Sequence, residues 1–326
     1  MRLLYFGLTN FLIPDGCKVQ LYNAKRAIQT RELDPASERV FLTDAVASLE
    51  RGFVRGDDGQ IHHYYSDAGA GLPILLLHAS PASARTTAPL AAALAPYNPV
   101  SAPDTMGNGL SDPAPQACPD MIDYARAMLS YMSLRGFDRY VVYGTHTGAH
   151  IAIEMAIAAP DNVVGLILDG VALMQAEQRA EFLERYAPVM VPDMTGGQFH
   201  WAWNFVRDQM LFYPYYRRDP DHVRRPGILD PHWLHELTVD VLMNLETYHK
   251  AYHAVFRQPV EQRLPLVRQA TLCIATGLDP LDATIDSLFE LLPRPQKALV
   301  VIEGEATEAE AKAAVIRRFV AALQEA

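Results

Sequence analysis

The chain has 326 residues, of which 50% are hydrophobic and 20% are charged, and this composition is typical of a soluble globular enzyme. Its formal net charge of −10, without a dense Lys/Arg run, argues against a nucleic-acid partner. Three widely spaced cysteines, Cys17, Cys118 and Cys273, predict reduced thiols in a cytoplasmic protein rather than a disulfide framework or a metal site. No apolar run has the length of a bilayer span, so we expect no membrane partner.

Residues 1–50 form an N-terminal arm to which we assign no function. Its apolar start, MRLLYFGLTNFLIP, is expected to pack on the body or on a second subunit, which leaves a homodimer open. A short helix is predicted near 41–50. A β-hairpin is predicted next, because two β-rich runs at 52–55 and 60–65 flank an Asp-Gly turn.

Buried strands then alternate with helices. A continuous apolar run marks a strand that is buried on both faces. Strands are predicted at 73–77, 99–102, 140–143 and 163–168, and helices at 87–94, 121–134 and from the 144–148 corner to 159. This alternation predicts an α/β fold with a mostly parallel, doubly wound sheet and helices on both faces.

The alternation stops between residues 172 and 264, where aromatic residues are frequent and no buried-strand run occurs. We interpret this stretch as an inserted helical cap. The alternation resumes with a strand at 270–275, a helix near 283–292, a strand at 298–302 and a last helix at 308–323. The predicted α/β core therefore comprises residues 51–171 and 265–326, and the cap comprises residues 172–264.

The stretch VVYGTHTGAHIAI, residues 141–153, predicts a buried strand, a tight corner and a helix of small residues. Gly144 and Gly148 flank the corner, as a nucleophile elbow requires, because strand and helix leave it too close together for any Cβ. The apex residue is forced toward positive φ, which lifts its side chain above the sheet edge. The apex of this corner is His146.

Four segments occur in the order found in the α/β-hydrolase fold. They are HASP at 78–81, DTMGNGLSD at 104–112, GTHTG at 144–148, and the strand with the Asp279 loop. Residues 50–326 together resemble that superfamily, and the cap is similar in placement to those of haloalkane dehalogenases, epoxide hydrolases and C–C bond hydrolases. The resemblance implies an oxyanion hole formed by the backbone N–H groups of Ser80 and Thr147.

The chain departs from the superfamily pattern at two catalytic positions. The usual Ser, Cys or Asp at the apex is replaced by His146, and no histidine follows His253, although the superfamily places its general base after the last strand. At that place the chain has Glu303-Gly304-Glu305. The acid after the seventh strand is retained as Asp279. The usual order of nucleophile, acid and histidine is thus absent, and a Ser-His-Asp mechanism is not assigned.

We hypothesise that His146 acts as a general base that Asp279 or Glu305 orients, while the Ser80 and Thr147 amides hold an oxyanion. A nucleophilic His146, or an attacking Ser80 hydroxyl with His146 as its base, is also open. The predicted activity is cofactor-free hydrolysis of an ester, lactone or C–C bond. The alternatives are a lyase, isomerase or cofactor-free oxygenase that uses His146 as base, and a non-catalytic small-molecule-binding protein.

The aromatic composition of the predicted cap indicates a small hydrophobic substrate that is aromatic or polycyclic. The predicted hydrolysis implies that this substrate contains a carbonyl group. The expected contacts are His78, His249 and four aromatic residues, for which packing within the cap is the alternative: Trp201, Trp203, Phe212 and Tyr213. His146 and His150 have an i, i+4 spacing that can bind zinc. Because the elbow helix runs under the sheet, we expect His150 to be packed, and we predict no metal.

Overall fold

A computed structural model of the protein describes residues 48–224, 229–277, 279–300 and 306–325. The predicted N-terminal arm up to residue 47, the predicted helix at 41–47 and Glu305 lie outside the described residues. So do residues 301 and 302, the last two of the segment in which the sequence places its last strand.

The described residues form an eight-stranded sheet with the order β1-β2-β4-β3-β5-β6-β7-β8. Strand β2 is antiparallel to β1 and β4, and β3 to β8 run parallel to one another. The strands are β1 Glu50–Gly56, β2 Gly59–Ser66, β3 Ile74–Leu77, β4 Val100–Pro103, β5 Tyr140–Thr145, β6 Val163–Asp169, β7 Ala270–Ala275 and β8 Pro295–Leu299. The predicted mostly parallel, doubly wound α/β sheet is confirmed.

The helices cover both faces of this sheet. They are α1 Ala88–Leu94, α2 Met121–Leu134, α3 Thr147–Ala158, α4 Ala176–Arg185, α5 Gly197–Leu211, α6 Pro231–Met243, α7 Tyr248–Arg257, α8 Val260–Arg263, α9 Ile285–Leu291 and α10 Glu308–Gln324. Successive residues of β3 pack into different layers: Leu75 lies in the cluster with α2 and α3, and Leu76 in the cluster with α1 and α10. Strand β3, with the sequence ILLL, is apolar throughout because both of its faces are buried.

The last strand differs from the prediction. The sequence places it at residues 298–302, but β8 is Pro295–Leu299. Among the described strands it pairs with β7 alone, so it lies at the edge of the sheet. An edge strand tolerates proline at its first position and polar residues within it, and it therefore lacks the continuous apolar run by which the inner strands are recognised.

Helices α4 to α8 fill the connection between β6 and β7, where the sequence places its helical insertion. Aromatic rings pack edge-to-face or tilted against one another at its centre, and they include Phe182, Tyr186, Phe205, Tyr215, Tyr248 and Phe256. Such pairs contribute beyond the area they bury, so the insertion has an aromatic core, which is continuous with the cluster that contains α2 and α3. Within the described part of the chain, no helix has both the length and the apolar character that crossing a membrane requires.

Candidate active site

The elbow has the geometry that its sequence predicts. Strand β5 ends at Thr145, α3 begins at Thr147, and His146 between them has φ 48° and ψ −113°. A Cβ at Gly144 would lie 2.3 Å from the Gly148 carbonyl oxygen, and one at Gly148 would lie 2.2 Å from that of Leu77. Both distances are too short for any side chain, so these positions accept only glycine.

The His146 imidazole stands at the apex and is partly open to solvent, with 34% of its side chain exposed. Its backbone N–H donates to the Asp169 carbonyl oxygen at 3.0 Å, which ties the apex to the end of β6. Gly170 follows that strand, and a Cβ there would lie 3.2 Å from the imidazole ring. Because Gly170 has no side chain, the imidazole ring fits beside it without a steric conflict.

Asp279, in the loop after β7, is the partner of this imidazole. Its Oδ2 lies 2.7 Å from His146 Nε2 and 3.3 Å from a terminal nitrogen of Arg224, and its Oδ1 accepts the Leu281 N–H at 2.8 Å. Burial alone would raise the pKa of Asp279, but the hydrogen bond from His146, with the Leu281 N–H and the Arg224 charge, holds it well below its usual range. Asp279 is therefore a carboxylate at neutral pH.

The ionised carboxylate fixes the tautomer of the ring. A carboxylate only accepts hydrogen bonds, so the neutral imidazole must carry its proton on Nε2 and donate it to Asp279. Nδ1 of His146 is then left with a lone pair. A nitrogen of this kind acts as a general base or as a nucleophile, and the carboxylate behind it stabilises the cation that forms.

The two predicted oxyanion donors lie together. The Ser80 N–H donates to the Thr147 hydroxyl oxygen at 3.3 Å, and both residues are buried. Thr147 is the first residue of α3, so its own N–H has no acceptor within the helix. The Ser80 hydroxyl oxygen is buried, and no residue of the described ranges hydrogen-bonds to it.

His78 has a different position from the expected substrate contact. Only 1% of its surface is exposed. Its Nδ1–H donates to the Ala79 carbonyl oxygen and its Nε2 accepts the Thr105 N–H, both at 2.9 Å. Burial lowers the pKa of His78, so the ring is neutral. It braces the loop that carries Ser80 against the end of β4.

Three of the four predicted aromatic contacts have other surroundings within the insertion, and the fourth, Tyr213, lies near Asp279. Trp201 stacks on Phe205 at 4.8 Å within the insertion core, and Trp203 is partly exposed. Phe212 pairs with Val223 in a β-bridge. Tyr213 lies near the dyad: burial and then the Asp279 charge raise its pKa to about 12. Of the four residues, Tyr213 is the one whose pKa responds to the Asp279 charge.

The remaining histidines are held elsewhere. His249 is half-buried on α7, its ring lies 5.5 Å from that of His253, and burial lowers its pKa. His150 is buried in α3: its Nδ1–H donates to the Gln258 side-chain oxygen, and its Nε2 accepts the Ala172 N–H at 3.2 Å. Both ring nitrogens of His150 are thus occupied. No group of three potential metal ligands occurs in the described ranges.

Arg224 is the site residue that sequence reasoning missed. It lies in the insertion, 55 residues before Asp279 in sequence, and its side chain is 23% exposed. No motif marks it, since its position depends on how the chain folds back between α5 and α6. The proximity of Tyr213 to Arg224 and Asp279 has the same origin.

Comparisons with known proteins agree with this architecture. A bacterial membrane phospholipase A superposes with a TM-score of 0.68 at 20% identity, covering 89% of this chain and 91% of the other. Epoxide hydrolase A of Mycobacterium thermoresistibile superposes with a TM-score of 0.64 at 17% identity, covering 85% of this chain and 98% of the other. The enol-lactonase of Burkholderia xenovorans superposes with a TM-score of 0.60 at 17% identity, covering 84% of this chain and 100% of the other. The fold is that of the α/β-hydrolases.

The sequence itself is similar to haloalkane dehalogenase 2 of Mycobacterium tuberculosis, with 35% identity over 111 residues. The match covers 34% of this chain and only 38% of the length of that relative. The chain matches no profile of a known protein family. The predicted superfamily resemblance is therefore supported, and the identity of the reaction rests on the geometry of the site.

Proposed function

We propose that this α/β-hydrolase-fold protein hydrolyses a small aromatic carbonyl compound, with His146 as the base that activates water. The 2.7 Å hydrogen bond between His146 and the Asp279 carboxylate is the observation that carries the proposal. In the neutral imidazole this bond places the proton on Nε2 and the lone pair on Nδ1, at an apex that is partly open to solvent. The hydrolases among the similar proteins support the same reaction class.

The proposed reaction proceeds in two proton transfers. Nδ1 takes a proton from water as the water oxygen attacks the substrate carbonyl, and Asp279 stabilises the resulting imidazolium. The carbonyl oxygen becomes an oxyanion, which the Thr147 N–H holds together with the Ser80 N–H, once the latter exchanges the Thr147 hydroxyl for the oxyanion. One such donor contributes about 2.7–4 kcal/mol to lowering the barrier. The tetrahedral intermediate then collapses, and the imidazolium returns the proton to the leaving group.

The apex chemistry separates this proposal from the reactions of several similar proteins. Dehalogenases and epoxide hydrolases that form an alkyl-enzyme ester need a carboxylate nucleophile at the apex. An imidazole cannot form that ester. Water attack on an ester, lactone or activated C–C bond requires only a base and an oxyanion hole, and the site offers a group for each.

We propose that the insertion between β6 and β7 acts as a cap. Its residue Arg224 contacts Asp279, and its residue Tyr213 lies near enough for the two charges to shift its pKa. A cap that supplies side chains to a dyad on the sheet can cover a ligand bound there. The aromatic residues of the insertion suit a hydrophobic ligand.

A second function uses the same base on a carbon acid. Proton abstraction from carbon, as in a lyase, an isomerase or a cofactor-free oxygenase, needs a neutral imidazole and a site for the enolate oxygen. The imidazole of His146, whose side chain is 34% exposed, and the Ser80–Thr147 pair meet that need without any nucleophile. The absence of a hydroxyl or thiol at the apex is the observation that favours this alternative.

Turnover of ester and lactone panels by the wild type, His146→Ala and His200→Ala tests the proposal. His200 is exposed on α5, so its variant controls for the loss of an imidazole. We expect hydrolysis that His146→Ala abolishes and His200→Ala retains. Turnover of a carbon acid without ester cleavage would favour the second function, and tight binding without turnover would indicate a binding protein.

A further inference from the structure

Arg224 brings a guanidinium of the insertion to the edge of the dyad. A short antiparallel turn sets its position: Phe212 and Val223 form a β-bridge, and the Arg224 N–H donates to the Leu211 carbonyl oxygen at 2.7 Å. The side chain then reaches Asp279 Oδ2 at 3.3 Å with one terminal nitrogen and the Gln209 carbonyl oxygen at 3.1 Å with the other. The hairpin thus holds a cation beside the proposed reaction centre.

These contacts use only part of the arginine. A guanidinium has five N–H groups in a planar fork, and the two bonds to Gln209 and Asp279 occupy two of them among the described residues. An arginine that served only to neutralise Asp279 would favour a bidentate pairing, in which two nitrogens meet two oxygens. Instead one nitrogen lies at a long distance from an oxygen that His146 already holds at 2.7 Å.

We infer that Arg224 binds a carboxylate of the substrate. The inference deepens the proposed function and rests on it: the compound processed at His146 is an aromatic carbonyl compound that carries a second, anionic group. The planar fork matches a carboxylate, and the partial burial of Arg224 strengthens the pairing relative to a surface site. Arg224 is thereby a specificity-determining residue that orients the carbonyl toward Nδ1.

The charge balance of the site permits such a ligand. Asp279 and Arg224 carry opposite charges and lie 3.3 Å apart, so the two side chains together are uncharged. The substrate carboxylate pairs with the Arg224 cation, and the Asp279 charge is already compensated by the bonds to His146 and Arg224. The net charge of −10 belongs to the whole chain. Salt screens charges that are more than about 10 Å apart, so distant acidic residues repel an anionic ligand only weakly.

Calorimetric titration with benzoate and with its neutral analogue benzamide tests the inference without requiring turnover. We expect the wild type to bind benzoate at least about tenfold more tightly than benzamide. Arg224→Met should abolish that preference and leave benzamide binding unchanged. Arg217→Met is the matched control, because Arg217 lies in the same segment, is exposed and pairs with Glu181.

Several outcomes would overturn the inference. They are equal affinity of the wild type for the two probes, the absence of saturable benzoate binding, and an Arg224→Met variant that retains the preference. If Arg224→Met does not fold, as judged by circular dichroism, Arg224→Lys should show a reduced preference, because it keeps the charge and loses the fork. A preference for benzoate in a protein that turns over no ester would leave the carboxylate site standing and refute the proposed hydrolysis.

Discussion

His146 combines an unfavourable backbone conformation with the central position of the site. A side chain at positive φ outside the αL well costs about 1–3 kcal/mol, and such residues persist only where the surroundings determine them. Here Gly144, Gly148 and the bond from the apex N–H to Asp169 fix the corner. The strain presents the imidazole to solvent and to Asp279.

Replacement of His146 by glycine and by alanine separates strain from chemistry. Both variants lose the imidazole and its bond to Asp279, but glycine adopts this backbone without steric cost. We expect His146→Gly to be more stable than His146→Ala by about 1 kcal/mol, as measured by urea unfolding. Equal stability of the two variants would show that the apex is unstrained. Both should be equally inactive.

Asp279→Asn should remove the charge that stabilises the imidazolium while keeping the size of the side chain. An amide also donates hydrogen bonds, so it can reverse the tautomer and protonate Nδ1. We expect the kcat of the activity found in the ester or lactone panel to fall about 10²–10⁴-fold. Asp221→Asn, at an exposed position of the insertion, should leave kcat unchanged. A kcat within twofold of the wild type in Asp279→Asn would refute the role of the dyad.

Sequence reasoning predicted the residues of the site that depend on short motifs. His146 follows from two flanking glycines, and Asp279 follows from the order of segments along the chain. Arg224 did not follow, because its proximity to Asp279 arises from the fold of an insertion that carries no motif. Glu305, the other expected orienting residue, lies outside the described residues and stays a prediction.

At the scale of elements, a buried polar network joins the elbow helix to the insertion. His150 on α3 donates to Gln258, and the Gln258 amide donates to Glu154 at 2.7 Å. Arg263, at the end of α8, pairs with Glu154 through two hydrogen bonds of 3.0 and 2.7 Å. The helix that begins next to His146 is therefore held by charged and polar side chains from the insertion.

Arg263→Met should destabilise the fold by leaving the Glu154 carboxylate buried and unpaired. Loss of one partner from a buried pair costs about 3–5 kcal/mol of stability. Because the Arg263 side chain is 27% exposed, we expect this variant to lose about 3 kcal/mol or less. Arg126→Met, which breaks an exposed pair with Asp123, should cost about 0–1 kcal/mol. Urea unfolding measures both. The double variant Arg263→Met/Glu154→Gln should recover part of the loss, and no recovery would contradict the pairing.

The inner strands and the helices were predictable because parallel strands buried on both faces have continuous apolar runs. Strand β8 was placed about three residues too late, since an edge strand needs no such run. The stretch 172–264 was correctly expected to be helical, because its aromatic residues recur without a buried-strand run. Its interior contacts, such as Trp201 on Phe205, were beyond what composition alone can assign.

For the whole molecule, buried histidines make stability depend on pH. Burial lowers the pKa of His150 and of His63 from 6.5 to about 4, so both are neutral in the folded protein. Between pH 6.5 and 4 the unfolded chain binds protons that the folded protein does not. Stability is therefore fully present above about pH 6.5 and falls as the pH decreases toward 4.

Urea unfolding at several pH values should show this decrease, with a slope of up to about 1.4 kcal/mol per pH unit from His150 alone. His150→Gln should have a shallower slope, because glutamine does not titrate. His200→Gln should keep the wild-type slope, since His200 is exposed. A wild-type free energy of unfolding that is constant between pH 7 and pH 5 would contradict the assignment of neutral buried histidines.

The positive φ at the apex has a consequence for how this scaffold changes its reaction. The steric conflict involves the backbone and Cβ, which every amino acid except glycine shares, so serine, aspartate and histidine all meet the same local penalty. Exchange of one of these residues for another changes the reactive side chain at the apex and leaves the strand, the corner and the helix unchanged. The elbow therefore accepts different catalytic residues at its apex. A protein with this fold can acquire a new chemistry through a single codon change and keep its fold.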